Sequence, residues 1–306
     1  MTLITAGLAM SWPGRGQAQE ESKAPPREDV TLRTWDGVDI GATFYGSTLG
    51  KEAVPIIMLH QYKGSRADFQ DLALALQQAG HAVIAPDLRG HGQSTRQVLP
   101  NGRERQLNVA QLNRGDIEAM AYASPQGGGD VEVCKSFLMA KNNAGELNID
   151  KLCVIGAEMG ATVAVNWAAV DWSWPQLPNI RQGRDVKALV LLSPSWAFKG
   201  VAISPLINNR NLAPHWSWLI VAGAEEPGAF REAQQVNRSL EGFFPPPPAN
   251  EMMEKKALFF VPLATSLQGT KLLAAKSFNL PADIAQFIDL RLVKKNFPWT
   301  DRRMRQ

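Results

Sequence analysis

The chain has 306 residues, of which 45% are apolar and 20% are charged, a composition typical of a single globular domain. Its 32 basic and 29 acidic side chains nearly cancel, and no apolar run approaches the roughly 20 residues that a transmembrane helix needs. We therefore expect no nucleic-acid partner and no transmembrane segment. We also expect neither a metal nor a cofactor.

The chain divides by composition into a lead-in at 1–29, a folded domain at 30–292 and a basic tail at 293–306 that we expect to be solvated. Within the lead-in, the apolar stretch Leu3–Met10 and the small-x-small pattern at 16–18 are typical of the end of a truncated signal peptide. No basic residue precedes that stretch, so either the natural start lies upstream or the likeness is accidental. Export to the periplasm or the exterior, and a cytoplasmic location, are both open.

Cys134 and Cys153 are the only cysteines, and their spacing does not match a metal site. Two buried free thiols are one interpretation. If the protein is exported, a single disulfide bond between a helix and the neighbouring strand is the other.

Short apolar runs alternate with helical patterns after an opening hairpin. Val30–Tyr45 has β-type residues on both sides of Asp36 and Gly37, a strong hairpin signal. The later runs predict buried strands at 54–59, 81–86, 186–192, 217–222 and 258–262. This order predicts a mostly parallel sheet with helices on both faces, and a ligand site beyond the carboxyl ends of the strands.

Two segments fall outside this alternation. The polar, unperiodic stretch 95–114 predicts a surface excursion. The segment 193–217 is long enough only for a small flap over the ligand site.

The most informative stretch is Leu152–Ala169, where an apolar run meets a sharp Gly-x-x-x-Gly turn and then a helical pattern. This layout is that of a nucleophile elbow, in which a strained turn projects one side chain and small neighbours let the backbones pass closely. Gly156 and Gly160 supply small positions, and the projecting residue is Glu158.

Together with two other patterns, the elbow resembles the α/β-hydrolase superfamily of the esterase and lipase type, over roughly Val30–Leu290. The other patterns are an apolar strand that runs into His60, and PDLRGHGQS at 86–94. The resemblance implies an α/β-hydrolase fold with a small cap or none. It also implies a Ser at the elbow, a carboxylate after a late strand and a His after the last strand.

The residues at these three positions do not suit that chemistry. The elbow carries Glu158, the acid position carries Glu226 or Glu225, and the His position carries Gln268 or Leu267. None of the four histidines follows the last predicted strand, so no imidazole is at hand there to carry a proton. The resemblance therefore implies a degenerate triad, and no catalytic residue can be assigned.

The resemblance also points to the loops that would hold an oxyanion. Gln61 stands where the family usually has a Gly, and Tyr62 and Met159 are the other oxyanion-loop positions. The remaining residues that we expect at the pocket are His60, Ser193, Glu225 and Leu267.

Three hypotheses for function follow, and they leave open whether the protein is an enzyme. The first is a catalytically degenerate pseudoenzyme that binds a small molecule or a protein partner. The second is an active hydrolase of unusual mechanism that uses Glu158 as a base or nucleophile. The third is an interaction protein of the cell envelope, which requires export.

Overall fold

The computed structural model describes residues 24–178, 181–275 and 277–302, so the predicted signal peptide lies outside the described residues. Eight strands form one sheet. They are β1 (Glu28–Arg33), β2 (Asp39–Tyr45), β3 (Pro55–Leu59), β4 (Ala82–Pro86), β5 (Leu152–Ala157), β6 (Val186–Leu192), β7 (Ser217–Gly223) and β8 (Leu258–Leu263). Their order in the sheet is β1-β2-β4-β3-β5-β6-β7-β8.

Strand β2 pairs antiparallel with both β1 and β4, and every other neighbouring pair in this sheet is parallel. At the turn between β1 and β2, Gly37 has a φ of 84°, a backbone conformation that would be strained for a residue with a side chain. The predicted hairpin and mostly parallel sheet are therefore confirmed.

Helices cover both faces of the sheet, as the alternating pattern predicts. They are α1 (Gln70–Gln78), α2 (Arg114–Met120), α3 (Asp130–Asn143), α4 (Met159–Ser173), α5 (Ser204–Ile207), α6 (Pro227–Glu241), α7 (Met252–Lys255) and α8 (Leu280–Ile288). Among the described helices, none combines the length and the apolar character needed to cross a bilayer.

Alternate residues of the central strands feed two separate apolar cores. In β5, Val154 packs into the core beneath α3, α4 and α6, whereas Ile155 packs into the core beneath α1 and α8. Cys134 belongs to the first core and Cys153 to the second, so the sheet lies between them. Both thiols are buried and free, and burial raises the pKa of each. The disulfide interpretation is therefore wrong for this structure.

The polar segment 95–114 has more structure than its sequence predicts. Two short strands, Arg96–Val98 and Glu104–Gln106, form an antiparallel hairpin. Gln97 bridges to Val38 and donates its side-chain amide to the Asp36 carbonyl oxygen at 2.9 Å. These polar contacts hold the excursion to the opening hairpin. Because they do not depend on apolar side chains at regular spacing, the sequence shows no hydrophobic period there.

The basic tail also differs from the expectation of a solvated end. The side chain of Arg302 is 2% exposed and pairs with the buried carboxylates of Asp150, at 2.6 Å, and Asp185. Trp299 donates its indole N–H to a backbone carbonyl oxygen at 3.1 Å. The tail docks up to Arg302 because buried carboxylates require a cation beside them.

Candidate functional site

The turn between β5 and α4 has the backbone geometry of a nucleophile elbow. Glu158 has φ 47° and ψ −108°, a combination that non-glycine residues rarely adopt. A Cβ on Gly160 would lie 2.1 Å from the Leu59 carbonyl oxygen, and one on Gly156 would lie 2.5 Å from the Gly160 carbonyl oxygen. Only glycine fits at both positions, so the strain at Glu158 is fixed by the close passage of strand and helix.

Glu158 lines a cavity of about 460 Å³. Burial raises the pKa of Glu158, and the positive charge of Lys271 partly opposes this shift. The cavity is lined by Gln61, Tyr62, Lys63, Glu158, Ser266, Leu267, Gln268 and Lys271. We call this space the elbow cleft.

Gln268 lines the elbow cleft together with Glu158. Its Nε2 donates to the Gly223 carbonyl oxygen at 2.9 Å, and its Oε1 accepts from the Gly223 N–H at 3.3 Å. The same Oε1 accepts from the Ser193 hydroxyl at 2.5 Å. The amide is thus bonded through both its oxygen and its nitrogen, and an amide neither gains nor loses a proton near neutral pH.

The two histidines nearest these loops are held by backbone groups. His60 is buried, contacts the Gln61 carbonyl oxygen through Nδ1 at 2.8 Å, and accepts from the Leu88 N–H through Nε2 at 3.0 Å. His91 accepts from the Lys63 N–H through Nε2 at 3.1 Å. Burial lowers the pKa of His60 to about 4. Both rings support the loops, and neither lines the elbow cleft.

The carboxylates after β7 do not face the elbow cleft either. Glu226 caps the amino end of α6, where it accepts from the Gly228 N–H at 3.2 Å and the Ala229 N–H at 2.6 Å. Glu225 is exposed. Neither side chain is among those that line the cleft.

The three residues expected at the oxyanion loops are Gln61, Tyr62 and Met159, and each is held by contacts within the protein. Gln61 Oε1 accepts from the Thr270 N–H at 3.2 Å, and the Tyr62 hydroxyl donates to the Val109 carbonyl oxygen at 3.1 Å. Met159 is buried as the first residue of α4. Gln61 and Tyr62 therefore form walls of the cleft.

The segment 193–217, for which a small flap is predicted, contains a short hairpin of Ala197–Phe198 with Val201–Ala202. Its two turn residues have positive φ, 46° at Lys199 and 82° at Gly200. Phe198 packs on Tyr62 with 5.4 Å between the ring centroids. The flap therefore supports the wall of the cleft.

Of the residues expected at the pocket, Leu267 lines the elbow cleft, and Ser193 lies behind Gln268. His60 and Glu225 lie elsewhere. Lys63, Ser266 and Lys271 also line the cleft, although no motif of the sequence marks them. Lys63 lies two residues after Gln61, Ser266 two residues before Gln268 and Lys271 three residues after it, and this proximity is the only sequence signal for them.

A model of the α/β-hydrolase fold family matches residues 54–244, more than half of the chain. The chain belongs to the α/β-hydrolase family. No curated protein matches its sequence well enough to extend this assignment.

Solved structures of other α/β-hydrolase proteins share the fold at low sequence identity. An esterase of Pyrococcus furiosus is 15% identical with a TM-score of 0.59, and the match covers 87% of this chain and 91% of the esterase. A dienelactone hydrolase of Anabaena variabilis is 17% identical with a TM-score of 0.56, over 88% and 99% of the two chains. A carboxyl esterase of Bacillus coagulans is 10% identical with a TM-score of 0.59, over 87% and 99%. These similarities concern the fold alone.

Within 24–178, 181–275 and 277–302, no group of three or more His, Cys, Asp or Glu side chains is arranged to hold a metal ion. The chemical resources of the elbow cleft are one carboxyl group, two ammonium groups, two amides and two hydroxyls.

Proposed function

We propose that this α/β-hydrolase protein does not hydrolyse esters through an acyl-enzyme, as the serine–histidine mechanism does, and that its elbow cleft binds a small molecule. The family mechanism needs a nucleophile, a proton carrier and a carboxylate that orients the carrier. In this chain, Glu158 and Gln268 occupy the first two positions, and the carboxylates after β7 point elsewhere.

The observation that carries the proposal is the bonding of Gln268. Its amide oxygen and nitrogen are both engaged by Gly223, and Ser193 adds a further hydrogen bond. A side chain fixed in this way stabilises the loop after β8 and cannot act as an acid or a base near neutral pH. With no imidazole lining the elbow cleft, a covalent ester at the elbow would have no group to activate the water that must release it.

The size of the elbow cleft supports a binding role. Its volume of about 460 Å³ falls within the range of roughly 300–1,000 Å³ that is usual for small-molecule sites. The strained elbow persists although its residue is not a serine. A preformed cleft of this size suits a ligand of a few to a few tens of heavy atoms.

A second candidate is an acid–base reaction at Glu158. The raised pKa of this carboxyl is the observation that favours it, because a general base works best when its pKa approaches the pH of the reaction. In this case, hydrolysis would proceed without an acyl-enzyme and would depend on the charge of Glu158.

Intact-mass spectrometry of purified protein mixed with an activated acetyl ester tests the proposal. We expect no acylated species during the first turnover and no burst of leaving group. A burst equal to the enzyme concentration, with an acetyl mass increment on Glu158, would refute it. Turnover without a burst that the Glu158→Gln variant abolishes would favour the second candidate.

A further inference from the structure

The charges that line the elbow cleft are unequal. Glu158 is its only carboxylate, whereas Lys63 and Lys271 contribute two ammonium groups. Across the described part of the chain, neither ammonium lies within 4 Å of a carboxylate oxygen, and both side chains belong to exposed residues. The ammonium of Lys63 lies 5.6 Å from the ring centroid of Tyr62. The cleft therefore carries more positive than negative charge, and its cations are available to a ligand.

The cleft also has more free hydrogen-bond donors than free acceptors. The amide of Gln268, the hydroxyl of Tyr62 and the Oε1 of Gln61 are already engaged by the protein. Among the described residues, the groups without a hydrogen-bond partner are mostly donors, namely the Nε2 of Gln61, the hydroxyl of Ser266 and the two ammonium groups. The carboxyl of Glu158 is the main acceptor left.

This balance points to an acidic, hydroxylated ligand. We infer that the elbow cleft binds a small organic anion whose carboxylate or phosphate group lies between Lys63 and Lys271, and whose hydroxyl donates to Glu158. The inference rests on the proposed function, since it names the ligand of the same cleft. Lys63 follows β3 and Lys271 follows β8, so the anion joins two loops that flank the elbow. An acyl chain suits the cleft poorly, because Leu267 is its only aliphatic residue.

The inference is tested by isothermal titration calorimetry of the full chain with paired probes. Malate and succinate differ by one hydroxyl, and glycerol 3-phosphate and glycerol differ by the anionic group. We expect malate or glycerol 3-phosphate to bind, malate more tightly than succinate, and glycerol not at all. The anion that binds identifies whether the cleft prefers carboxylate or phosphate. Binding should weaken as sodium chloride is raised, because salt screens charges at an open site.

Three variants place the binding in the elbow cleft. Lys63→Met and Lys271→Met should each raise the Kd of the bound anion about tenfold, as expected for the loss of one charge-assisted hydrogen bond. The matched control is Lys255→Met, since Lys255 is exposed, pairs with Glu251 at 2.8 Å, and lies outside this cleft. It should leave the Kd unchanged. If malate is the ligand, Glu158→Ala should make malate and succinate bind equally.

Several results would overturn the inference. These are the absence of binding by both anions, binding of glycerol as tight as that of glycerol 3-phosphate, or an effect of Lys255→Met as large as that of Lys271→Met. Failure here is distinct from failure of the proposed function. If the anions do not bind and no acyl-enzyme forms, the charge argument alone is wrong. If an acyl-enzyme forms, the proposed function is wrong whatever the anions do.

Discussion

Replacement of Arg302 with alanine tests how the C-terminal tail contributes to stability. The guanidinium lies against two carboxylates that are at most 1% exposed, Asp150 at 2.6 Å and Asp185. Without it, Asp150 keeps Arg181 at 2.5 Å and Asp185 keeps Lys135 at 3.3 Å. The variant therefore leaves each buried carboxylate with one cation fewer.

The size of the effect follows from this geometry. Breaking a buried ion pair by removing one partner costs about 3–5 kcal/mol. Because each carboxylate keeps a second cation, we expect the lower end, a loss of roughly 3 kcal/mol in the free energy of unfolding. At about 2–4 °C per kcal/mol, the melting temperature should fall by roughly 6–12 °C.

Urea denaturation followed by circular dichroism measures this loss. The matched control is Lys294→Ala, which removes a cation that is 63% exposed and pairs with Asp289 at 2.6 Å. Surface pairs contribute about 0–1 kcal/mol, so the control should resemble the wild type. If Arg302→Ala lost less than about 1 kcal/mol, or no more than Lys294→Ala, the docked tail would not stabilise the fold and the reasoning would be refuted.

Three further predictions concern the scaffold. Glu226→Ala should lower the free energy of unfolding by about 1 kcal/mol, because α6 loses its cap. Glu225 is exposed, so Glu225→Ala should change this free energy little. Equal effects of the two substitutions in urea denaturation would contradict the capping role of Glu226. Burial and the neighbouring Asp185 carboxylate raise the pKa of Asp171 from 3.8 to about 7, so the stability that this group contributes is present below about pH 4 and is lost as pH rises towards 7. Asp171→Asn should therefore gain stability relative to the wild type as pH rises across this interval, and a constant difference between the two proteins would contradict the shift. Gly160→Ala should fail to give folded protein or melt far below the wild type, since its Cβ would lie 2.1 Å from a strand carbonyl oxygen, and an unchanged melting temperature would contradict the close passage.

Much of the fold could be predicted from the sequence because short patterns determine local backbone geometry. The Asp36-Gly37 pair marks the opening hairpin, and Gly156 and Gly160 mark the elbow. The docked tail could not be predicted, because Arg302 finds Asp150 and Asp185 more than 100 residues away along the chain. Only the folded sheet brings these charges together.

The site was predicted unevenly for a similar reason. Glu158 and Gln268 were found because the elbow and the end of the last strand fix their places. The resemblance leaves Glu226 or Glu225 at the acid position, although the place of Glu226 immediately before Pro227 is also typical of a helix cap. Lys63 and Lys271 were missed, because loop side chains follow no period and become neighbours only through the fold.

The central claim is that the chain lacks the ester chemistry of its family, and hydrolysis of short activated esters tests it most directly. Purified wild type, the Glu158→Ala variant and a mock preparation would be assayed side by side with acetyl, propionyl and butyryl esters. The account predicts equal rates for all three preparations with every ester. A wild-type rate well above both controls would show that Glu158 is catalytic and would contradict the account.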